Sequence, residues 1–217
     1  MKTALIFGSS GLIGSQLLNL ILKSEQYNKA KLFVRSEISN SNTKVEIIKT
    51  DFLNLDQYKE QIKGDDCFFC IGTTRKNTPD KEDYNRIEYK IPCKVAQIAK
   101  SNSIKNFFYV SSLGANANSS SLYLKNKGQT EEELIKLNFQ RLAIIRPSIL
   151  LGNRKENRIG EKIGIIVMST LSPLFLGKLL KYKPIKVELV VKAIFNIAQN
   201  DYQGVIFESD QLQKIGK

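Results

Sequence analysis

Histidine is missing from all 217 residues, and its absence removes a large part of the catalytic repertoire. No Ser-His-Asp hydrolase, histidine general base or His-ligated zinc site can be built from this chain. Cysteine is scarce, three in all. Cys67 and Cys70 lie in an apolar run where alternation along a strand turns them to opposite faces, so they read as buried thiols rather than a metal or redox pair. The first residues show none of the separate charged, apolar and small-residue regions of a secretory leader, and a cytoplasmic location is expected. The apolar stretch from Ile163 to Leu180 is broken by Ser172 and Pro173 before it reaches membrane-spanning length, so no transmembrane segment is expected. Zinc-finger spacing and aromatic-plus-basic RNA-binding motifs are absent. So is the GxxxxGK[ST] lysine of a triphosphate loop, which makes ATP an improbable ligand.

With 42% hydrophobic and 25% charged residues, the composition is that of a globular protein, and the length suits one α/β domain over residues 1–217. The net charge of +12 is thickest in the second half, as in Lys178, Lys181, Lys183 and Lys186. Such an excess suits an anionic cofactor, a nucleic acid or an anionic membrane surface. Without a nucleic-acid motif, the nucleic acid is not expected as a partner.

Strand and helix patterns alternate along the chain. Thr3 to Phe7 is a buried apolar run, and Leu12 to Leu22 has apolar residues at helical spacing. Strands follow at Lys31 to Val34, Val45 to Lys49, Cys67 to Ile71, Asn106 to Val110 and Leu142 to Arg146. Helices are predicted at Leu55 to Ile62, Asp80 to Lys100, Leu122 to Leu137 and Val187 to Ala198, and Gly204 to Phe207 offers a last strand. Pro92 either kinks the Asp80 to Lys100 helix or breaks it. The rhythm specifies an α/β, doubly wound parallel sheet of the Rossmann type with helices on both faces. After Gly152 the pattern loosens, and residues 152–186 read as a small C-terminal lobe covering a substrate or, in the apolar stretch from Ile163 to Leu180, making a subunit contact.

The first strand runs straight into Gly8-Ser9-Ser10-Gly11-Leu12-Ile13-Gly14 and then an amphipathic helix, the context a dinucleotide-binding loop requires. Gly8 makes a turn that a side chain hinders, Gly11 removes a Cβ where phosphates lie, and Gly14 lets the helix pack on the strand. The unpaired N–H groups and dipole of the helix start suit a pyrophosphate. At the end of the second strand stands Arg35, which pairs with a 2′-phosphate where an acid would bind a ribose hydroxyl. NADPH is therefore expected over NADH, although Glu37 is two residues on. Asp51, after the third strand, is placed either to accept from an adenine amino group or to cap a helix.

Tyr123 and Lys127 are four apart on a predicted helix and leave one face. A tyrosine titrating near pH ~10 needs neighbouring positive charge to act at neutrality, and Lys127 together with a nicotinamide can supply it. Lys127 also suits the cofactor's ribose hydroxyls. Ser112, chosen over Ser111 at the end of the Asn106 to Val110 strand, completes a Ser-Tyr-Lys constellation for hydride exchange with a carbonyl or hydroxyl compound.

Gly8 to Gly14, Ile71-Gly72-Thr73-Thr74-Arg75, Val110 to Ala115, Leu122 to Gly128 and Arg146 to Leu151 together resemble the short-chain dehydrogenase/reductase superfamily. Within it they resemble an atypical branch, the oxidoreductases related to Tat-interacting protein 2. The resemblance implies NADPH binding, with Ser10, Gly11, Leu12 and Ile13 along the phosphates and Ile71 and Gly72 at the adenosine or ribose. It places Leu150 and Arg158 at the nicotinamide end or far phosphate, Tyr123 as proton acceptor and Lys127 as cofactor ligand. Two adjacent arginines after the second strand mark that branch, where this chain has Arg35 and then Ser36. The resemblance further implies either turnover of a small-molecule substrate or a nonenzymatic module that binds a protein partner.

Overall fold

The computed structural model describes residues 1–152 and 177–217. Among them seven strands share one sheet: β1 (Lys2–Phe7), β2 (Tyr27–Val34), β3 (Val45–Lys49), β4 (Asp66–Phe69), β5 (Asn106–Val110), β6 (Arg141–Arg146) and β9 (Ile206–Glu208). β7 (Leu150–Leu151) and β8 (Ile185–Lys186) form a separate parallel ladder. The main sheet is parallel throughout, in the order β3-β2-β1-β4-β5-β6-β9. The order reverses between β1 and β4, and at such a switch point the carboxyl ends of the strands open a crevice for a ligand.

Two apolar layers follow from the two-residue period of a strand. Ala4, Ile6, Phe68, Phe108, Ala143 and Ile145 face α1 (Leu12–Lys23) and α5 (Val187–Gln199), meeting Leu17, Ile21, Val190 and Ile194. Leu5, Phe7, Cys67, Phe69, Tyr109 and Ile144 face α3 (Ile91–Ser101) and α4 (Leu122–Lys136), meeting Val95, Ile98 and Leu134. Cys67 and Cys70 are free thiols packed in opposite layers, as strand parity requires. On the α3 side an aromatic row crosses the sheet, with ring centroids 4.3 Å apart for Phe33 and Phe7, 5.9 Å for Phe7 and Phe69, and 6.1 Å for Phe69 and Tyr109.

The expected helix around Pro92 is three pieces: α2 (Lys81–Asn85), a π-helical turn at Arg86–Lys90, and α3 with Pro92 in its first turn. Pro92 has no N–H for the carbonyl of Glu88 four residues back, and its ring crowds that oxygen; the wider turn relieves both. Thr130 of α4 donates its hydroxyl to the Glu88 carbonyl at 3.0 Å. At the opposite end of the sheet Asp66, fully buried, accepts from Tyr27 Oη at 2.5 Å, Asn106 Nδ2 at 2.6 Å and Lys2 Nζ at 3.2 Å.

Several boundaries differ from the sequence reading. β2 starts at Tyr27, ahead of the exposed Asn28 and Lys29 that hide its pattern. The helix predicted at Leu55 to Ile62 is a 3₁₀ turn at Leu55–Tyr58. α6 (Ser209–Ile215) is an added helix that ends the chain, capped by Glu208 and Gln211. Most of the substrate-covering segment 152–186, and Arg158 with it, lies outside the described residues.

Candidate active site

Gly8 leaves β1 with φ +91°, and a Cβ there would stand 2.9 Å from Cys70 C and Ile71 N. A side chain would therefore force β1 and β4 apart at the switch point. A Cβ on Gly14 would overlap the Gly8 carbonyl, so the first turn of α1 lies directly on the loop. Gly11 is the N-cap of α1, exposed beside Ser10, and no side chain caps the helix. Leu12 is half-buried, Ile13 buried, and the buried Ser9 Oγ has no hydrogen-bond partner among the described residues. Uncapped N–H groups, a donor without a partner and a backbone cleared of side chains fit a pyrophosphate.

Strand register carries the remaining expected cofactor residues to the same edge. Phe33 pairs with Phe7, which puts Arg35 one strand from Gly8 and Asp51 one strand further. Arg35 is exposed and has no carboxylate partner among the described residues, while Glu37 pairs with Lys49 at 3.2 Å. Asp51 accepts from Leu53 N at 2.8 Å and so shapes its own turn rather than a helix start. Ile71 and Gly72 follow β4 beside Gly8. Leu150 pairs with Ile185, and two residues on, a Cβ on Gly152 would lie 3.8 Å from Leu12, so this strand also ends at the loop.

α4 presents Tyr123, Lys127 and Glu131 at four-residue intervals toward the end of β5. Tyr123 is 36% exposed, whereas Lys127 is 3% exposed. The Lys127 ammonium donates to Val110 O at 3.0 Å, meets Glu88 Oε2 at 3.0 Å and lies 4.8 Å from the centroid of Tyr109, the last ring of the aromatic row. Burial pulls its pKa down, but Glu88, Tyr109 and Tyr123 outweigh burial and hold it above the ordinary lysine range. Glu88 is fixed in turn by Thr73 N, which donates to Oε1 at 2.5 Å. The sequence reading gave this ammonium to Tyr123 and the ribose, and Glu88 was missed. Its only signal is an acid inside the apolar stripe of a helix.

Glu131 was missed as well. It accepts from Ser111 Oγ and from the Arg146 guanidinium. Ser111 thus has a structural partner, while Ser112, half-buried, donates to Leu113 O at 3.3 Å. Arg75 and Tyr84 complete the surroundings: the guanidinium lies 5.4 Å over the Tyr84 ring. Burial first, then Glu88 and Tyr123, push the Tyr84 phenol up to about 12 against the opposing pull of Lys127 and Arg75. A cleft of about 350 Å³ lined by Phe139, Arg141, Asp201 and Tyr202 sits at the amino ends of β6 and β9 and contains none of these residues.

A parallel sheet that reverses its order beside an uncapped, glycine-lined helix start defines a nicotinamide-dinucleotide-binding Rossmann protein. The chain belongs to the NAD(P)H-binding family, which it matches over residues 8–165. It is 37% identical to the mitochondrial protein FMP52 of Debaryomyces hansenii over 77% of each chain, and 33% identical to that of Candida albicans over 97% of this chain and 96% of the relative. It is 36% identical to HTATIP2 of Rattus norvegicus over 74% of this chain and 67% of the relative. In fold it is similar to the Bordetella bronchiseptica enzyme WbmH, solved in complex with NAD+, with a TM-score of 0.71 at 16% identity over 96% of this chain and 75% of that one. A UDP-N-acetylglucosamine 4-epimerase from Methanobrevibacter ruminantium gives 0.70 at 18% identity, over 95% and 76%. The mitochondrial names of the FMP52 relatives correct the cytoplasmic expectation.

Proposed function

We propose that this protein is an NADPH-dependent oxidoreductase acting on a small carbonyl or hydroxyl compound. The observation that carries the reading is the anchoring of Lys127 to Val110 O, which sets the Tyr123 face of α4 against the strand end that Ser112 follows. Ser112 donates to the substrate oxygen, and Tyr123 gives or takes the proton there. The nicotinamide, when bound, supplies or accepts the hydride. Lys127 stands one turn from Tyr123 on the same face of α4 and fixes that face against the end of β5. Arg35, exposed and without a carboxylate partner among the described residues, supports NADPH over NADH, with Glu37 drawn to Lys49. The FMP52 names support a mitochondrial location.

Tyr123→Phe is expected to lower NADPH oxidation across a panel of carbonyl compounds by about 10²-fold or more. Equal turnover by the variant would refute the mechanism. Arg35→Ala should weaken NADPH and leave NADH unchanged in a side-by-side fluorescence titration. A second reading, a module that binds the cofactor and signals to a protein partner, is favoured by the prior engagement of Lys127 with Glu88. Tight NADPH binding without oxidation by any carbonyl compound would support it.

A further inference from the structure

The turn after β4 carries a cation that stands outside the neighbouring ion pairs. Lys127 is neutralised by Glu88, and among the other acids of this region Asp83 pairs with Arg86 at 2.8 Å while Asp80 accepts from Asp83 N to cap α2. Arg75 has no carboxylate partner among the described residues. Its position is nonetheless fixed. Asn77 N and Thr78 N both donate to Thr74 O, at 3.0 and 2.8 Å, and the Thr73 and Thr78 hydroxyls meet at 2.8 Å, so Arg75 projects from a closed turn. Its guanidinium lies over Tyr84, a ring only 2% exposed, while Arg75 itself is exposed. A guanidinium laid on a ring keeps its N–H edge for a second partner, and its fork matches a carboxylate or phosphate. Thr73, two residues before Arg75, donates its N–H to Glu88 Oε1 at 2.5 Å, and Glu88 Oε2 meets Lys127 at 3.0 Å, which ties the Arg75 turn to the Lys127 end of the same site.

We infer that Arg75 is a subsite for an anionic group, a carboxylate or a phosphate, carried by the compound whose oxygen Tyr123 and Ser112 serve. The inference rests on the proposed oxidoreductase reading. Lys127 cannot take this role, because its ammonium is enclosed by Glu88, Val110 O and the Tyr109 ring. Exposed Lys76, on the same turn, adds to the local positive field without a fixed geometry.

The test is calorimetric binding to the full chain saturated with NADPH, using p-carboxybenzaldehyde, its methyl ester and p-formylphenyl phosphate as probes. The anionic aldehyde of the matching class should bind on the order of tenfold tighter than the neutral ester, the worth of one charge-assisted contact. Arg75→Gln should bring it to the level of the ester and leave the ester unchanged, and Arg75→Lys should keep part of the preference. Which anion is preferred separates a carboxylate from a phosphate compound. Equal binding of all three probes overturns the subsite, and so does an Arg75→Gln variant that loses NADPH affinity while keeping the aldehyde preference, because the guanidinium would then serve the cofactor. Binding with the expected preference but without NADPH oxidation would leave the subsite standing and remove the oxidoreductase reading.

Discussion

Glu88 and Lys127 meet at 3.0 Å with side chains 0% and 4% exposed, an ion pair sealed from solvent between the π-helical turn and α4. Removing one member leaves the other charge buried and alone. Lys127→Met should therefore cost about 3–5 kcal/mol of stability, and adding Glu88→Gln should return part of it. Chemical denaturation of the single and double variants checks this; a double variant no more stable than Lys127→Met would show that the pair is not coupled.

Thr130 substitutes for the hydrogen bond that Pro92 cannot make. Thr130→Val should cost about 1–3 kcal/mol, since the Glu88 carbonyl loses its hydroxyl donor in a buried setting. In a Pro92→Ala background, where a backbone N–H is restored four residues from Glu88, the same substitution should cost less. A cycle of four proteins measures the difference, and perfect additivity would break the link between the two residues.

Much of the architecture was legible because β1, β4, β5 and β6 carry the short continuous apolar runs of strands buried on both faces, and because Gly8, Gly11 and Gly14 follow β1 without a gap. The partner of Lys127 was not. A regular helix through Pro92 puts Ile87 on the inner face, and Ile87 does pack against that core, but the π turn brings its neighbour Glu88 inside as well, 1% exposed. Glu131 was hidden differently. Four residues after Lys127, it has the spacing of a helical ion pair, yet Arg146 and Ser111 hold it instead. Residues 153–176 follow no clear period and lie outside the described residues, and the role expected of Arg158 rests on resemblance alone.

Gly14→Ala tests the phosphate loop. The new methyl meets the Gly8 carbonyl, so a loss of about 1–3 kcal/mol from overpacking is expected, together with weaker NADPH binding by fluorescence titration. Wild-type affinity in this variant would mean that the cofactor does not rest on the start of α1.

The Asp66 cluster supplies a control at the other end of the sheet. Tyr27→Phe removes a 2.5 Å donor from a fully buried carboxylate and should cost about 1–3 kcal/mol, while NADPH affinity stays unchanged. Differential scanning calorimetry gives the first quantity, titration the second, and a parallel loss of both would tie the two ends together.

Alkali should destabilise the protein through its thiols. Burial raises Cys70 and Cys93 from the ordinary 9.0 to about 12, so above pH 9.0 the unfolded chain releases protons that the folded chain keeps, and stability falls as pH rises toward about 12. Lys127 acts higher still: its raised pKa leaves its contribution whole below the ordinary 10.5. Melting temperatures should be flat near neutrality and decline above pH 9.0. Substitution of Cys70 and Cys93 by alanine should flatten the upper decline, and an unchanged slope would assign it elsewhere.

The parallel ladders also govern when the protein becomes competent during folding. Ala4 pairs with Asp66, and Ile144 with Ile206, so neither joint can close as a local hairpin; pairings of such long sequence separation form slowly. Gly8 has its second wall, Cys70 and Ile71, only after β4 docks on β1. A nascent β1-α1-β2 segment therefore carries the glycines but only one side of the cleft, and the crevice is complete only when the two halves of the sheet join.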